Sequence, residues 1–567
     1  MDPQERFRQD VISLASGAAR LSRKDVEALL EKPPNPELGD LALPCFALAK
    51  KMRKPPQGIA GEVASRIKPS GLVSGAGAEG PYVNFFLDWE KFSGLVLKEV
   101  LRGRERYGSS KKGRGSAVVI DYSGPNTAKP MGIGHLRSTI IGQSIYNILS
   151  FSGYRCIGDN HLGDWGTQFG KLIYAYKKWG NRKLIEKNPV KEMFRLYVKF
   201  HNEAEKNPEL DERGREEFSL LERGNKENIR LWRWLSETSL KDFKRFYKIL
   251  GVKFDLYLGE SFYLEMSRDV IKKAADKGIS KKSEGALIIE VGKNMPPLVL
   301  QKSDESTLYS TRDLATIEYR IKKYRPALIV YVTGSEHRLY FEQVFIAAKK
   351  LGILKGKTEC VHLPFGLISL PEGKMSTRKG RVILLDDVID RAVKKILRLI
   401  EEKNPRLPKK KRVAEQVGLG AIKYADLSKD IIKDIRFDWD EILSFEGDTG
   451  PYLQYTHARA CSILRKARKR PARYDASLLA EGSERALLRK LAEFPGEVSR
   501  ASRDMRPHYI ANYAYGLADL FNNFYQALPV LKAEERTREA RLTLVTATKT
   551  VLRNALGLLG IEAPERM

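Results

Sequence analysis

The stretch from Ser116 to Asp159 limits the fold more than any other part of the chain. AVVIDYS is a short β-branched run that ends in a polar turn. The loop GPNTAKPMGIG follows, then HLRSTIIGQSIYNILSFSG with the three- and four-residue apolar spacing of a helix, then the strand-like YRCIGDNHLG. A strand without polar alternation, followed by a loop, a helix and a second strand, is the pattern of a parallel pair covered on both faces. It predicts a doubly wound α/β domain. Three later apolar runs, GALIIEV, PLVLQKS and ALIVYVTG, with the helix EYRIKKYRP among them, read as the second half of that domain. Residues 180–285 are highly charged and helical in period, as in EMFRLYVKFHNEAEK and ENIRLWRWLSETSLKDFKRFYKIL, and read as an insertion between the halves.

Both flanks differ in texture. Residues 1–110 form a candidate small α/β unit. The amphipathic opening FRQDVISLASGAARL leads through the Pro-rich KPPNPELGD to a helical LALPCFALAKKM and the strand-like PYVNFFLDW. The Gly-, Ser- and Lys-rich GSSKKGRG at 108–115 marks its boundary. The α/β domain is assigned to 116–395, a connecting helical segment to 396–450, and an all-helical domain to 451–567. ANYAYGLADLFNNFYQALPVL shows the helical apolar spacing of that last part.

Charge narrows the partners. Lys and Arg number 100 against 71 Asp and Glu, a net +29, which favours a polyanion such as nucleic acid. No apolar run reaches the roughly 18 residues that span a bilayer, so no membrane partner is expected. Cys45, Cys156, Cys360 and Cys461 are scattered with no CxxC pair, which argues against a metal site or disulfide framework and for a reducing, cytoplasmic compartment.

Two loops carry the chemistry. PNTAKPMGIGH at 125–135 sits where a doubly wound sheet binds ligands, beyond the carboxyl end of a strand. Gly132 and Gly134 let the backbone approach a ligand, the helix start offers unpaired N–H groups to phosphate, and His135 can donate to a phosphoryl oxygen. Far downstream, EGKMSTRKG at 372–380 packs Lys374, Arg378 and Lys379 among small residues, just before the strand-like RVILLDD. Cations on such a loop can close over a triphosphate and stabilise departing pyrophosphate.

GIGH resembles the HIGH signature of class I aminoacyl-tRNA synthetases, and KMSTR resembles their KMSKS signature. DYSGPNTAKPMGIGHLRSTIIG, NHLGDWGTQFG, LYSTRDLA and GPYLQYTHAR are similar to stretches of the arginyl-tRNA synthetase family, as are the N-terminal GDLALPCFALAK and the C-terminal LADLFNNFYQALPVL ending in APERM. The resemblance runs from end to end. It implies a Rossmann-type catalytic domain, an N-terminal domain that grips the tRNA elbow, and a C-terminal helical anticodon-binding domain. It implies an arginine–tRNA ligase with ATP as substrate, Mg²⁺ on the phosphates, and tRNA(Arg), L-arginine and ATP as partners, acting as a monomer.

The resemblance also assigns residues. Lys129, Gly132, Gly134, His135, Lys374 and Arg378 are the expected catalytic set. Gly132, Gly134, His135, Lys374, Met375 and Ser376 are expected on ATP. Tyr309 and Asp313, on one face if their segment is helical, are expected on the guanidinium of arginine. Asp121, Ser123, Asn126 and His135 are expected on the rest of the amino acid. Gly132 replaces the first histidine of HIGH, with Lys129 just upstream to compensate. Where the family often has glutamine after YVTGS, this chain has Glu336 and His337; His337 is taken as the arginine ligand, although either could serve. For tRNA the candidates are Asn84 and Phe85 at the elbow, and Tyr455, Tyr525 and Met567 at the anticodon. The basic runs PKKKR and RKARKR could meet phosphates. A synthetase for an apolar amino acid would not need the acids of the pocket. A non-catalytic descendant would not need an intact KMSTR, Lys129 and His135.

Overall fold

The computed structural model describes residues 2–127, 129–303, 306–369, 384–436, 438–467 and 473–567. Lys374, Met375, Ser376 and Arg378 lie outside the described residues, as do Arg468, Lys469 and Arg470 of the basic run RKARKR.

The N-terminal unit is a three-stranded antiparallel sheet in the order β1-β3-β2, with β1 Leu41–Pro44, β2 Val73–Glu79 and β3 Tyr82–Leu87. The helix Pro3–Ala19 covers it with Phe7, Val11, Ile12 and Ala15. It starts cleanly because the Asp2 carboxylate accepts the Glu5 N–H at 2.8 Å and Pro3 sits in the first turn, where a missing N–H costs nothing. LALPCFALAKKM is not one helix. Leu41–Pro44 pairs with β3, and the helix begins only at Phe46. The sheet edge takes the apolar LALP, which helical spacing alone does not distinguish. The helix Trp89–Gly103 then leads to Tyr107, which stacks on Phe494 and donates to the Leu491 carbonyl at 2.9 Å, docking this unit on the C-terminal helices.

The central sheet begins with β4 Ala117–Asp121 and β5 Arg155–Asp159, joined by the helix Ile133–Phe151. The insertion is helical from Arg182 to Ile249 and again at Leu264–Asp276. It has its own core around Phe169, Met193, Leu196, Phe200 and Leu235. The next two apolar runs do not enter the parallel sheet. With β6 Ser280–Ser283, they form a separate antiparallel sheet as β7 Ala286–Ile289 and β8 Leu298–Gln301. Short links between these strands permit hairpins, whereas a parallel neighbour needs a long crossover. Only β9 Leu328–Gly334 and β10 Glu359–Phe365 complete the central sheet, all parallel, in the order β10-β9-β4-β5. The chain leaves β4 toward β5 and returns on its other side as β9, so the switch point opens beyond Asp121 and Gly334. Of the expected strand RVILLDD, residues 381–383 lie outside the described residues. Leu384 makes a single bridge to Gly132, and the helix Leu385–Lys403 starts at once.

That helix and Lys410–Leu427 connect to a bundle of Gly450–Lys466, Gly482–Asp504, His508–Ala527 and Glu535–Leu558. Inside the bundle Arg541 pairs with the buried Glu484 at 2.7 Å.

One buried side chain fixes how the α/β domain meets this helical half. Arg137, fully enclosed, gives its Nε to both Asp426 oxygens at 3.1 Å. Its remaining nitrogens donate to the carbonyls of Gly366 at 2.6 Å, Lys433 at 3.0 Å and Ile431 at 3.2 Å. The carbonyl-bearing segments pair beside it as β11 Ile368–Ser369 and β12 Ile435–Arg436. Burial pushes the Asp426 carboxyl up to about 6, and the Arg137 charge works against that rise. Arg137→Met strands the carboxylate and several carbonyls. The expected loss is about 3–5 kcal/mol, read as a lower unfolding temperature by calorimetry. Arg137→Met with Asp426→Leu should recover part of it; equal losses in both variants would contradict the pairing.

Candidate active site

The signature loop turns sharply as it leaves β4. Ser123 has φ 72° and Gly124 φ 50°, a left-handed pair in which only the glycine is free of strain. The strain is held by contacts on every side. The Ser123 N–H donates to Ser138 Oγ at 2.9 Å, and Ser123 Oγ accepts from Thr139 at 2.9 Å and shares a 2.9 Å bond with the Tyr247 hydroxyl. The Gly124 N–H donates to Asn160 Oδ1 at 3.2 Å. Asn126 bridges to Gly163, so the loop lies along the NHLGDWG segment. Lys129 stands 5.4 Å over the ring of Tyr197 from the insertion.

Gly132 caps the helix Ile133–Phe151, and its N–H donates to His135 Nδ1 at 3.2 Å. An accepting Nδ1 places the imidazole proton on Nε2, leaving a neutral donor there. Burial, with the Lys129 charge adding to it, holds His135 below its usual value. A Cβ on Gly134 would meet nothing within 4 Å, so the bare backbone there is open. On the far side, the Leu385 N–H donates to the Met131 carbonyl at 3.1 Å and Leu384 bridges Gly132. The chain just after residue 383 is therefore tied to the start of this one helix.

The helix Tyr309–Tyr324 faces the switch point. Tyr309 is 54% exposed and lies 4.9 Å from the Tyr340 ring. Asp313 accepts the Tyr340 hydroxyl, and its other oxygen is 3.8 Å from His161 Nε2. Burial raises the Asp313 carboxyl and lowers His161, so the histidine is neutral. Three other acids here already hold cations, while Asp164 accepts from the Ser261 N–H at 2.8 Å and its hydroxyl at 2.6 Å. Asp121 and Asp159 share Arg320 at 2.6 and 2.8 Å, and Glu260 holds Arg312 at 2.8 Å. Burial pushes Glu260 up to about 7 against the Arg312 charge.

His337 closes a single turn at Ser335–His337 after β9 and is half exposed, 3.8 Å from Glu336. Glu336 itself folds back over Gly334 at the strand end, where a Cβ would collide with it. The carboxylate thus lies against the end of β9, with the imidazole beside it.

The elbow candidates need correction. Asn84 and Phe85 are buried, at 4% and 0% exposure. They sit on the central strand of their sheet, Phe85 in the core and Asn84 beside Gly39. The exposed aromatics are Phe86 and Phe46, the latter edge-on to Tyr82 at 5.7 Å. Consecutive strand residues point to opposite faces, so Phe85 and Phe86 could not both face outward.

In the C-terminal bundle, Tyr455 and Tyr525 are 41% and 40% exposed and flank Arg459 at 4.9 and 5.7 Å. Arg459 donates to Asn522 at 2.5 Å, and Asn522 donates to the Tyr452 hydroxyl at 2.9 Å. Tyr455, Arg459, Asn522 and Met567 line a cavity of about 640 Å³.

Sequence reasoning missed His161, Asn160, Tyr340, Arg320 and Asp159. Asn160 and His161 lie inside NHLGDWGTQFG, which was a signal; Tyr340 and Arg320 gave none, because only helix phase turns them to the site.

Residues 96–439 match the family model described as tRNA synthetases class I (R), catalytic domain, which makes the chain a class I aminoacyl-tRNA synthetase. Residues 453–567 match the DALR anticodon binding domain and residues 4–87 the arginyl tRNA synthetase N terminal domain. The chain is 45% identical over 564 residues to an arginine–tRNA ligase of Halothermothrix orenii, covering 99% of this chain and 100% of the relative. It is 45% identical over 549 residues to one of Clostridioides difficile, covering 96% and 97%. The Thermus thermophilus arginyl-tRNA synthetase structure superposes with a TM-score of 0.80 at 28% identity, covering 99% of this chain and 100% of that one. The chain belongs to the arginyl-tRNA synthetase family.

The cleft geometry makes a testable statement about His135. In a histidine-labelled sample its imidazole should titrate below the ordinary histidine value of about 6.5 and carry its proton on Nε2 at neutral pH, seen by nitrogen NMR with His135→Gln for assignment. Titration at or above that value would contradict the neutral donor.

Proposed function

We propose that the cleft beyond β4 and β9 activates L-arginine with ATP and passes it to tRNA. The family makes the chain an arginine–tRNA ligase that uses ATP. In our reading the α-carboxylate of arginine attacks the α-phosphorus of ATP, giving arginyl-adenylate and pyrophosphate. A hydroxyl of the tRNA's terminal adenosine then attacks the activated carbonyl and AMP leaves. No protein nucleophile is required; the work is positioning and charge stabilisation.

One observation carries the placement of arginine. Asp121, Asp159 and Glu260 each hold a resident guanidinium, whereas Asp313 is met by the Tyr340 hydroxyl and the neutral His161. Asp313 is the acid we assign to the incoming cation, with Tyr309 on the same helix face beside it. Asp121, Ser123 and Asn126 take the α-amino and carboxylate end. Gly132, Gly134 and the Nε2–H of His135 face the phosphates, with Lys129 behind them. Lys374, Met375, Ser376 and Arg378 are assigned to ATP on sequence alone. Mg²⁺ is assigned to the nucleotide phosphates, held by their oxygens and by water. Glu336 replaces His337 as the candidate at the strand end.

For tRNA we assign the Tyr455–Arg459–Tyr525 group and Met567 to the anticodon, since exposed aromatics flanking a cation offer a stacking platform. At the elbow, Phe86 takes the place of the core residue Phe85, with Asn84 kept as a candidate on the same strand face and Phe46 added beside Tyr82. Action as a monomer and a cytoplasmic site are assigned on sequence alone.

Asp313→Asn should raise the KM for arginine by about 100-fold or more, as expected when one side of a buried pair worth roughly 3–5 kcal/mol is removed, and leave the KM for ATP near its starting value. Pyrophosphate exchange measures both, and equal effects would place Asp313 elsewhere. Tyr525→Ala should weaken tRNA binding by about 1–3 kcal/mol without lowering the unfolding temperature. Unchanged tRNA affinity would remove it from the RNA interface.

A further inference from the structure

Behind the substrate cleft lies a buried charge cluster with a shape that stability alone does not explain. Arg320 is fully enclosed on the helix Tyr309–Tyr324, two turns beyond Asp313 on the same face. Its terminal nitrogen donates to Asp121 Oδ2 at 2.6 Å and Asp159 Oδ2 at 2.8 Å, and its Nε donates to Asp159 Oδ2 at 3.1 Å. Asp121 and Asp159 are register partners at the ends of β4 and β5, so their carboxylates end at one level. Of the three side chains only Asp121 reaches solvent, with 11% of its side chain accessible.

Two carboxylates and one guanidinium leave a net charge of −1, and its open end is Asp121. The inner part is not fully bonded: Asp159 Oδ1 and the other terminal nitrogen of Arg320 have no hydrogen-bond partner among the described residues. A buried cluster built this way costs desolvation that apolar residues would avoid. No neighbour substitutes for Arg320. His161 and Tyr263 approach from the β5 side, Tyr331 from β9, Cys360 from β10, and Arg312, Asp313, Tyr319 and Tyr324 from the helix itself. The one other cation in this set, Arg312, is bound to Glu260.

We propose that Arg320 is a positioning residue for arginine activation: by offsetting Asp159 it holds Asp121 ionised and aimed into the cleft, so that the site presents one negative charge whatever the pH near neutrality. The proposal rests on the reading that Asp121 meets the amino acid substrate. Without Arg320 the two carboxylates, sharing a buried space, take up one proton between them in its place. A cationic substrate favours the deprotonated pair, so its binding would release that proton. The KM for arginine would then fall as pH rises.

The test is a charge-balanced cycle in the full-length enzyme, by pyrophosphate exchange with tRNA present between about pH 6.5 and 8.0, a window above the ordinary carboxylate range. Wild type should show a flat KM for arginine. Asp159→Asn alone, which leaves the cluster neutral, should raise that KM about tenfold, whereas Arg320→Met, whose shared proton leaves the same net −1 as wild type, should start near the wild-type KM at the acid end and fall below it toward the alkaline end. The double variant Arg320→Met/Asp159→Asn restores the net charge of −1 and should return to within about threefold of wild type with a flat profile. The KM for ATP should stay constant throughout. A purely structural role predicts a double variant worse than either single one, and that result overturns the proposal, as does a flat raised KM in Arg320→Met. If Arg320→Met does not fold, Asp159→Asn and the double variant still decide the matter. Asp121→Asn separates the two readings: an unchanged KM for arginine there means Asp121 does not meet the substrate, whatever Arg320 does.

Discussion

The contact on which the rest of the molecule depends is the enclosed guanidinium of Arg137. It lies two residues past His135 and reaches Gly366, 229 residues away in sequence, Asp426 on the connecting helix, and the carbonyls of Ile431 and Lys433. A planar fork of donors cannot be left without acceptors in a dry interior, so its directions dictate where those backbone segments run. On the opposite side of the same helix start, Met131 and Gly132 engage Leu385 and Leu384. Two stretches remote in sequence are thereby anchored to one turn of helix, and the switch point of the sheet acquires its second wall.

The same device recurs at several other buried acids. Arg320 serves Asp121 and Asp159, Arg312 serves Glu260, and Arg541 serves Glu484. Each pair satisfies an acid with a cation from another element, which ties strand to helix or helix to helix. An enzyme that must recognise a guanidinium is thus built around several of its own, and in the proposed reading Asp313 recognises the substrate's because it has none. Asp313 differs from its neighbours in being met by a hydroxyl and a neutral ring. Stability and specificity draw on the same chemistry here, and they are separated only by which carboxylates are already occupied.

What could be read from the sequence follows from the local physics of each segment. AVVIDYS and ALIVYVTG are uniformly apolar and β-branched, and both became strands of the parallel sheet. HLRSTIIGQSIYNILSF and EYRIKKY carry helical spacing, and both are helical. VSGAGAE has few β-branched residues and no long apolar run, yet it forms β2, because pairing with β3 supplies what its own side chains do not. LALP reads as helix but is captured by the same sheet. GALII and LVLQ have the composition of central strands but pair with each other, since their short links suit hairpins better than crossovers.

The family resemblance supplied the candidate pair Tyr309 and Asp313. The sequence alone determined the doubly wound domain, its helical insertion and helical C-terminal part, and the two candidate phosphate loops. These depend on periodicity, turn chemistry and motif spacing, all of which are local. Tertiary structure alone decided that Phe86 and not Phe85 faces outward, that Glu336 folds back over Gly334, and that Tyr340 and His161 meet Asp313. It alone decided which carboxylates already hold a guanidinium. Those outcomes depend on strand register, helix phase and the partners that burial brings within hydrogen-bond reach, and a side chain's charge partner is set by residues far away in the chain.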